Sequence, residues 1–445
     1  ISISLVGYET QVVTVPANST IVLHKKNIQL KDVLFTSKSN TAFFRTLAKI
    51  DLDLKPVRNT QELLRLVPGL FIAQHAGGGK AEQIFLRGFD CDHGTDVRIS
   101  VDGMPVNMVS HAHGQGYADA HFIIPETIQQ IDFGAGPYYT SQGNLNTAGY
   151  VAFSTYTSIP SSRIQVEAGS FNTSRILLML DLQKKNKAKH QAYLASEYNY
   201  TNGPTENKQH FNRLNVFGKF QYTLSSRTTL EASASAFNSG WDASGQIPER
   251  ALKNAIINRF GSIDPSEGGQ TSRYNANIIF RHRYPSGTVI ESQAFYSMYQ
   301  FNLFSNFTFF LVDTINGDGI NQSEGRHILG MQTKLTRKYF FRKLTLQSTY
   351  GTGVRSDIIQ DSRLTKSVKR QLMEDYQRGN IRETNWFGYK QQQWQTGHWL
   401  FEGGLRYDLF TAAYENKLSS SQYPSRQSGI LSPKLNIQYT VNPAW

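Results

Sequence analysis

Apolar and polar residues alternate along the chain from about residue 162 to the end. In the segment 213–224, apolar side chains and one glycine occupy the even positions, while residues such as Arg213 and Lys219 occupy most of the odd ones. Because neighbouring side chains of a strand point to opposite faces, this period of two indicates strands with one apolar and one polar face. The same alternation recurs at 399–409 and 434–441. With roughly ten residues per segment, the pattern predicts about twelve strands.

Two architectures can produce such strands. Strands of soluble β-sandwiches average about five or six residues, whereas these segments have the length of about ten that a tilted strand needs to cross a bilayer. The predicted connections also alternate between short turns and long loops, as in outer-membrane barrels. We therefore predict an antiparallel transmembrane β-barrel over residues 158–445, with a soluble sandwich as the alternative. The short turns are expected at 225–226, 285–287 and 339–342, and the long loops at 238–270, 302–325, 353–380 and 411–428.

Residues 36–157 have a different pattern, which mixes two short helices with several strands. A short helix is predicted after residue 59, with Thr60 as its N-cap, and another begins at Pro125. Strands are predicted at Gln83–Leu86 and Val97–Val101. The sequence therefore predicts a compact α+β domain ahead of the barrel.

Residues 1–35 contain only short strand-like pieces. They are too few to bury a core of their own, so we expect them to be the end of a small β-sandwich. Residue 1 is isoleucine, and no basic segment followed by an apolar one comes after it. We therefore expect that any signal peptide has been removed or was never included.

The composition narrows the class of protein. The 445 residues are 12% aromatic, which excludes general disorder, and a single cysteine excludes an intramolecular disulfide. No apolar stretch reaches the roughly 18 residues of a membrane-spanning helix. The net charge of +12 is dispersed, and no nucleic-acid-binding motif accompanies it, so no nucleic-acid partner is expected. Basic residues of one long loop could instead meet lipopolysaccharide phosphates or an anionic ligand, namely Arg250, Lys253 and Arg259.

Four motifs in a fixed order carry a family resemblance. They are Leu86–Phe89 (LRGF), Val101–Pro105 (VDGMP), Gly134–Pro137 (GAGP) and Asn146–Gly149 (NTAG). This set resembles the plug domain of TonB-dependent outer-membrane receptors. Residues 1–35 look like the end of the carboxypeptidase-regulatory-like domain that precedes the plug in many Bacteroidota receptors.

The resemblance implies a fold and a function. The expected fold is mostly β, with an N-terminal α+β plug and about 12 of the family's roughly 22 barrel strands, so that the C-terminal part of the barrel is missing. The expected function is TonB-dependent active import of a scarce nutrient across the outer membrane of a Gram-negative bacterium. The partners would be TonB with its inner-membrane energising complex, outer-membrane lipids and lipopolysaccharide, and a small extracellular ligand. A passive porin-like channel and an outer-membrane hydrolase that pairs a histidine with Ser110 remain as alternatives.

The TonB-contacting segment is expected to be short, extended and N-terminal to the plug, because such a segment adds a strand to its partner. The best candidate by position is a stretch just after residue 31, and a plain linker strand is the alternative. Its residues are Asp32, Val33, Leu34 and Phe35.

A cluster of histidines and acids in the plug is the strongest candidate for binding chemistry. His111 and His113 are two residues apart, so on an extended strand both rings would lie on one side and could share a metal ion. Trp241 and Arg250, in the longest predicted loop, could form part of the binding surface or of a lid, and packing within the loop is the alternative. Cargo metal, a metal chelate and an organic ligand remain open, as does a purely hydrogen-bonding role, and no resident cofactor is assigned. The other candidate residues of the cluster are Asp90, Asp92, His93 and His121.

The segment 313–325 resembles a calcium-binding loop but departs from it at two key positions. Thr314 and Gly325 stand where that loop has Asp and Glu. We therefore expect an Asp- and Asn-rich turn in a long loop.

Overall fold

The computed structural model describes residues 2–3, 11–12, 45–47, 57, 59–74, 78–183, 189–419 and 423–441. The chain divides into two units, residues 1–42 and 43–445. In the first unit, strands β1 (Ser2–Ile3) and β2 (Gln11–Val12) pair antiparallel. The side chains of Cys91 and Asp92 and the predicted TonB-contact residues Asp32, Val33, Leu34 and Phe35 lie outside the described part.

The second unit begins its described part with a short helix, α1 (Thr60–Leu64). Asn59, and not Thr60, is its N-cap, because the Asn59 side chain accepts a hydrogen bond of 2.9 Å from the backbone N–H of Glu62. The Thr60 hydroxyl instead donates to the carbonyl of Ile123 at 2.6 Å, so it ties the helix to the domain core. Across the described residues, no helix is long and apolar enough to cross a membrane.

Two small sheets form the domain that precedes the barrel strands, which we call the plug. A five-stranded sheet has the order β3-β9-β10-β7-β8, in which only the β10–β7 pair is parallel. A three-stranded antiparallel sheet, β4-β5-β6, packs its alternate residues into the same apolar core as α1. The strands are β3 (Arg45–Leu47), β4 (Leu70–Ala73), β5 (Gln83–Leu86), β6 (Phe89–Cys91), β7 (Val97–Val101), β8 (Met104–Pro105), β9 (Ile128–Ala135) and β10 (Gly149–Thr155), with 3₁₀ helices at Asp92–Gly94 and Pro125–Thr127.

Twelve antiparallel strands, β11 to β22, follow as one sheet in sequence order, and we call this sheet the wall. The predicted number of barrel strands is therefore confirmed. No pairing joins β11 to β22 within the described residues. The strands are β11 (Arg163–Gly169), β12 (Thr173–Asp181), β13 (His190–Thr201), β14 (Phe211–Ser225), β15 (Thr228–Asp242), β16 (Gly268–Arg283), β17 (Val289–Ser305), β18 (Ile320–Phe340), β19 (Thr345–Val368), β20 (Gln371–Thr396), β21 (Trp399–Asn416) and β22 (Arg426–Tyr439).

The wall is polar inside and apolar outside. In β14, Leu214 and Phe220 are 47% and 43% exposed, whereas Arg213 and Lys219 are 2% and 5% exposed. A soluble sandwich buries its apolar face, so this reversed arrangement supports the lipid-facing barrel and argues against the sandwich.

One predicted long loop is wrong. The segment 353–380 forms the outer halves of β19 and β20, which are joined by only Lys369 and Arg370. The strands stay paired far beyond the length needed to cross a bilayer. The other long connections exist but are shorter than predicted, because the flanking strands extend into them; they span 243–267, 306–319 and 417–425.

Candidate functional site

The plug is joined to the wall by polar contacts centred on Asp102. The Asp102 carboxylate lies 3.2 Å from the Lys219 ammonium group. The Asp102 carbonyl accepts hydrogen bonds from Asn277 at 3.2 Å and Gln293 at 2.8 Å. Within the plug, the same carboxylate accepts hydrogen bonds from the backbone and hydroxyl of Thr155. One turn of the plug therefore contacts strands β14, β16 and β17.

The backbone geometry at Gly103 explains why this turn contains a glycine. Its φ of +77° is disfavoured for residues with a side chain. A Cβ at this position would also lie 2.5 Å from Oε1 of Gln293. The glycine thus lets the plug backbone approach the wall closely.

Further polar anchors are spread around the plug. The Arg175 guanidinium of β12 makes two 2.8 Å hydrogen bonds to the Glu126 carboxylate of the plug. Arg273 donates to the carbonyls of Pro105 and Val106 at 2.7 and 3.2 Å. Such contacts can be exchanged for contacts with water when the plug moves. Two more anchors are Arg355 to the carbonyl of Asn107 and Arg326 to the carbonyl of Ser110. The interface also has an apolar part, in which Tyr117 of the plug packs with Trp241 and Phe301 of the wall.

Three of the predicted histidines meet at the contact between plug and wall. The Nε2 atoms of His93 and His113 are 3.1 Å apart, and Nδ1 of His113 lies 2.9 Å from Oε1 of Gln322. His111 stacks on Tyr117 with ring centroids 4.1 Å apart, and its Nε2 lies 3.2 Å from the Tyr299 hydroxyl.

Burial keeps His111 and His113 neutral. It lowers the pKa of His111 well below its ordinary value, and nearby Arg326 adds to the effect. Burial likewise lowers the pKa of His113 to about 3, with repulsion from Lys80 as a further cause. At neutral pH each ring therefore has one nitrogen lone pair. In His111, Nδ1 accepts a 3.1 Å hydrogen bond from the backbone N–H of His113.

The local backbone at these histidines differs from the prediction. His111 and Gly114 exchange two backbone hydrogen bonds, of 3.1 and 3.0 Å, so the segment is a tight turn and not an extended strand. The turn directs His113 toward His93 and His111 toward the wall. Asp90 is exposed. Across the described residues, no group of three or more His, Cys, Asp or Glu side chains is arranged to hold a metal ion.

His121 belongs to a second polar group. Its Nδ1 lies 2.7 Å from the Asp119 carboxylate, and both side chains are buried. Glu82 is buried in the same surroundings, and burial raises its pKa to about 7 against the opposing effect of His121. Oε2 of Glu82 and Nε2 of His121 have no hydrogen-bond partner within the described part. No sequence motif indicates Glu82.

The predicted loop residues lie in two different environments. Trp241 is the next-to-last residue of β15 and is 5% exposed. Its ring packs over Gly79 in an apolar cluster that includes Tyr117 and Phe301. Arg250 is exposed on α2 (Glu249–Lys253) in the connection 243–267.

The predicted calcium-like segment forms a tight turn. The Asp318 carboxylate accepts backbone hydrogen bonds from Leu311, Val312 and Asp313. Its oxygens are therefore used within the loop, as expected for a structural turn.

The wall supplies partners that the sequence did not indicate. Glu324 accepts a 2.8 Å hydrogen bond from the backbone of Ala112, and Gln322 donates to the carbonyl of Ala112 at 3.1 Å. These residues lie about two hundred positions from the plug histidines, and only the register of the wall brings them there.

Two family models match the chain. The TonB-dependent Receptor Plug Domain matches residues 38–150. The TonB dependent receptor-like, beta-barrel model matches residues 221–445.

Solved structures share the fold at low sequence identity. The ferric citrate transporter FecA has a TM-score of 0.76 and 14% identity, over 90% of this chain and 60% of that one. The open form of the ferric-catecholate import receptor Fiu from E. coli K12 has a TM-score of 0.69 and 14% identity, over 90% of this chain and 67% of that one. The siderophore receptor PirA from Acinetobacter baumannii has a TM-score of 0.65 and 17% identity, over 92% of this chain and 60% of that one. The chain thus spans about 60% of the length of FecA and PirA. The two family models, together with the geometry of plug and wall, show that the chain belongs to the TonB-dependent receptor family.

Proposed function

We propose that the chain acts in TonB-dependent active import of a scarce nutrient across the outer membrane of a Gram-negative bacterium. The observation that carries the proposal is the polar interface between plug and wall. Ion pairs and hydrogen bonds fix the plug at rest, and water can replace them when the plug is pulled. A complete barrel of about 22 strands would leak without such a plug. Import needs binding and movement and not bond breaking, so the proposed role is not enzymatic.

TonB is the proposed source of force. It would recruit an extended segment ahead of the plug by strand addition, and the segment Asp32–Phe35 stays our candidate. The wall would sit in outer-membrane lipids. Exposed Arg250 and Lys253 of α2 would lie near lipopolysaccharide phosphates.

Uptake by cells tests this function. A gene deletion should abolish accumulation of the nutrient under limitation, and deletion of tonB should do the same with the receptor intact. Uptake that persists without TonB would contradict the proposal. Swelling of liposomes in small solutes would instead indicate a passive porin-like channel.

A hydrolase has little structural support. The Ser110 hydroxyl donates to the Glu383 carboxylate at 2.9 Å and has no histidine as its base among the described residues. Purified protein should therefore show no hydrolysis of ester or peptide substrates.

We propose a metal ion or metal chelate as the cargo. Two histidine nitrogens bound to one Zn²⁺ at about 2.0–2.1 Å in tetrahedral geometry lie roughly 3.3 Å apart. The Nε2 atoms of His93 and His113 are 3.1 Å apart, so little movement would let both bind one ion. Oxygen or nitrogen atoms of a chelator would fill the remaining positions. The likeness to proteins described as a ferric citrate transporter and a copper transporter fits this class of cargo.

Calorimetry with Zn²⁺ and Cu²⁺ on the purified chain tests the cargo. His113→Ala should weaken binding at least tenfold, and His111→Ala should weaken it less, because His111 bonds to the wall. His398→Ala is the matched control, since His398 is exposed in the turn between β20 and β21. Equal affinity of the wild type and His113→Ala would remove the metal assignment and leave the import proposal standing.

A further inference from the structure

A cavity of about 230 Å³ lies in the lumen between the plug and strands β17 to β21. On the plug side, Arg98 of β7 lines it. The neighbours Val97 and Ile99 are fully buried in the plug core, so the alternation of the strand turns Arg98 toward the wall. The cavity is far larger than the roughly 10–15 Å³ that one water molecule needs.

Two wall arginines line the same cavity, and each is held by an aspartate; Asp357, which holds Arg355, also pairs with Arg326. Arg355 contacts both oxygens of Asp357, at 2.7 and 2.9 Å. Arg406 contacts both oxygens of Asp408, at 2.6 and 2.8 Å. The Arg406 guanidinium also lies 4.3 Å from the centre of the Phe387 ring, so its plane is fixed. Both guanidinium groups are therefore positioned before any ligand arrives.

Arg98 differs from these two arginines. In the part of the chain that the structure describes, its side chain has no hydrogen-bond or ion-pair partner. Burial lowers its pKa to about 10, and repulsion from Arg406 and Arg355 contributes to the shift. Two acidic residues also line the cavity, and both are engaged: Glu383 accepts a hydrogen bond from Ser110, and Asp357 accepts hydrogen bonds from Arg355. Asp408 lies close enough to favour the charged form of Arg98, but it is bonded to Arg406. An anion beside Arg98 would offset the repulsion from Arg355 and Arg406, whose own aspartate partners are already engaged with them.

We propose that Arg98, Arg355 and Arg406 form an anion site in the lumen that binds a small molecule with a carboxylate or phosphate group. The planar guanidinium group of Arg98 can bind a carboxylate or phosphate through two parallel hydrogen bonds. The two fixed wall arginines add electrostatic attraction from the wall side of the cavity. The anion could be free in solution or part of a larger cargo. This site goes beyond the import proposal and does not depend on it, because binding to purified protein needs neither TonB nor a membrane potential.

Calorimetry on the purified full chain in detergent tests the site, with inorganic phosphate and succinate as probes and succinamide as the uncharged counterpart of succinate. The wild type should bind at least one of the two anions and should not bind succinamide. Arg98→Gln should weaken anion binding at least tenfold. Arg98→Lys keeps the positive charge but loses the two parallel N–H donors of the guanidinium group, so it should give an intermediate affinity. Arg342→Gln, in the exposed turn between β18 and β19, is the matched control and should bind like the wild type.

The outcomes separate clearly. Tighter binding of phosphate would assign a phosphate ligand, and tighter binding of succinate would assign a carboxylate. Absence of binding to the wild type, equal affinity of the wild type and Arg98→Gln, or equal binding of succinamide would each overturn the proposal. Folding of Arg98→Gln is judged by gel mobility with and without heating. If this variant fails to fold, the anion affinity of Arg98→Lys is compared with that of the wild type instead. Equal affinities of Arg98→Lys and the wild type would then overturn the proposed site.

Discussion

Glu126 is the plug residue whose replacement tests the polar interface most sharply. Its carboxylate accepts two hydrogen bonds of 2.8 Å from Arg175, whose side chain is 2% exposed. Glu126→Gln keeps the shape but removes the charge and turns an amide N–H₂ toward the guanidinium group. A hydrogen bond to a charged group contributes about 1.5–3 kcal/mol. Because Arg175 keeps Glu167 and Glu197, we expect a net loss of about 2–3 kcal/mol of local docking free energy.

Hydrogen exchange of the plug segment 122–135, followed by mass spectrometry, measures this loss. A free energy of about 2–3 kcal/mol corresponds to roughly 30- to 150-fold faster exchange through local opening. Glu249→Gln is the control, since the Glu249–Lys253 pair is exposed and is worth no more than about 0.5 kcal/mol. Equal exchange rates in the wild type and Glu126→Gln would refute the reasoning that this ion pair docks the plug.

Three further perturbations follow from the same contacts. Glu197→Gln should destabilise the wall by about 3–5 kcal/mol in urea unfolding, because the carboxylate is buried between two arginines, one of which is Arg175; an unchanged midpoint would contradict this. Gly103→Ala should speed hydrogen exchange in the plug, because it places a Cβ against Gln293 at an unfavourable φ. Adding Gln293→Ala should restore only part of the protection, since the strain in φ remains. Unchanged hydrogen exchange in Gly103→Ala would contradict the close approach of plug and wall at this turn. Folding raises the pKa of Glu82 from 4.5 to about 7, so the folded chain favours the protonated carboxyl group. The free energy of unfolding should therefore fall by roughly 3 kcal/mol as the pH rises from 4.5 to 7. A Glu82→Gln variant with the same pH profile as the wild type would exclude Glu82 as the cause.

The strand pattern was predictable because alternation is a local property. The odd and even positions around Arg213 and Leu214 already assign the two faces of β14, and pairing with β13 and β15 adds only the register. The hairpin at Lys369 and Arg370 was not predictable. Both residues adopt positive φ, of 49° and 67°, without the glycine or asparagine that normally marks such a turn.

The candidate site was predictable in part. The spacing of His93, His111 and His113 indicated a cluster, and the structure brings these three together. The partners Gln322 and Glu324 were missed, because the sequence of a wall strand does not show which plug residues its side chains will contact. The position of Trp241 was also missed, since an aromatic residue at the end of a strand has the same local pattern whether it faces a ligand or packs under a loop.

The central claim is that the plug lies inside the wall, against its inner face. A Cβ built at Gly404 of β21 would lie 2.8 Å from the Cβ of Thr140 in the plug. Disulfides join Cβ atoms about 3.8 Å apart, so a small shift would allow a bridge. The neighbouring residue Leu405 is 48% exposed on the outer face and supplies the control.

The deciding measurement is the disulfide yield in outer-membrane preparations of the Cys91→Ser background, which removes the native cysteine. Thr140→Cys with Gly404→Cys should crosslink in high yield, and Thr140→Cys with Leu405→Cys should not. Equal yields from the two pairs, or no crosslink from the first pair, would contradict the placement of the plug against the polar inner face of the wall.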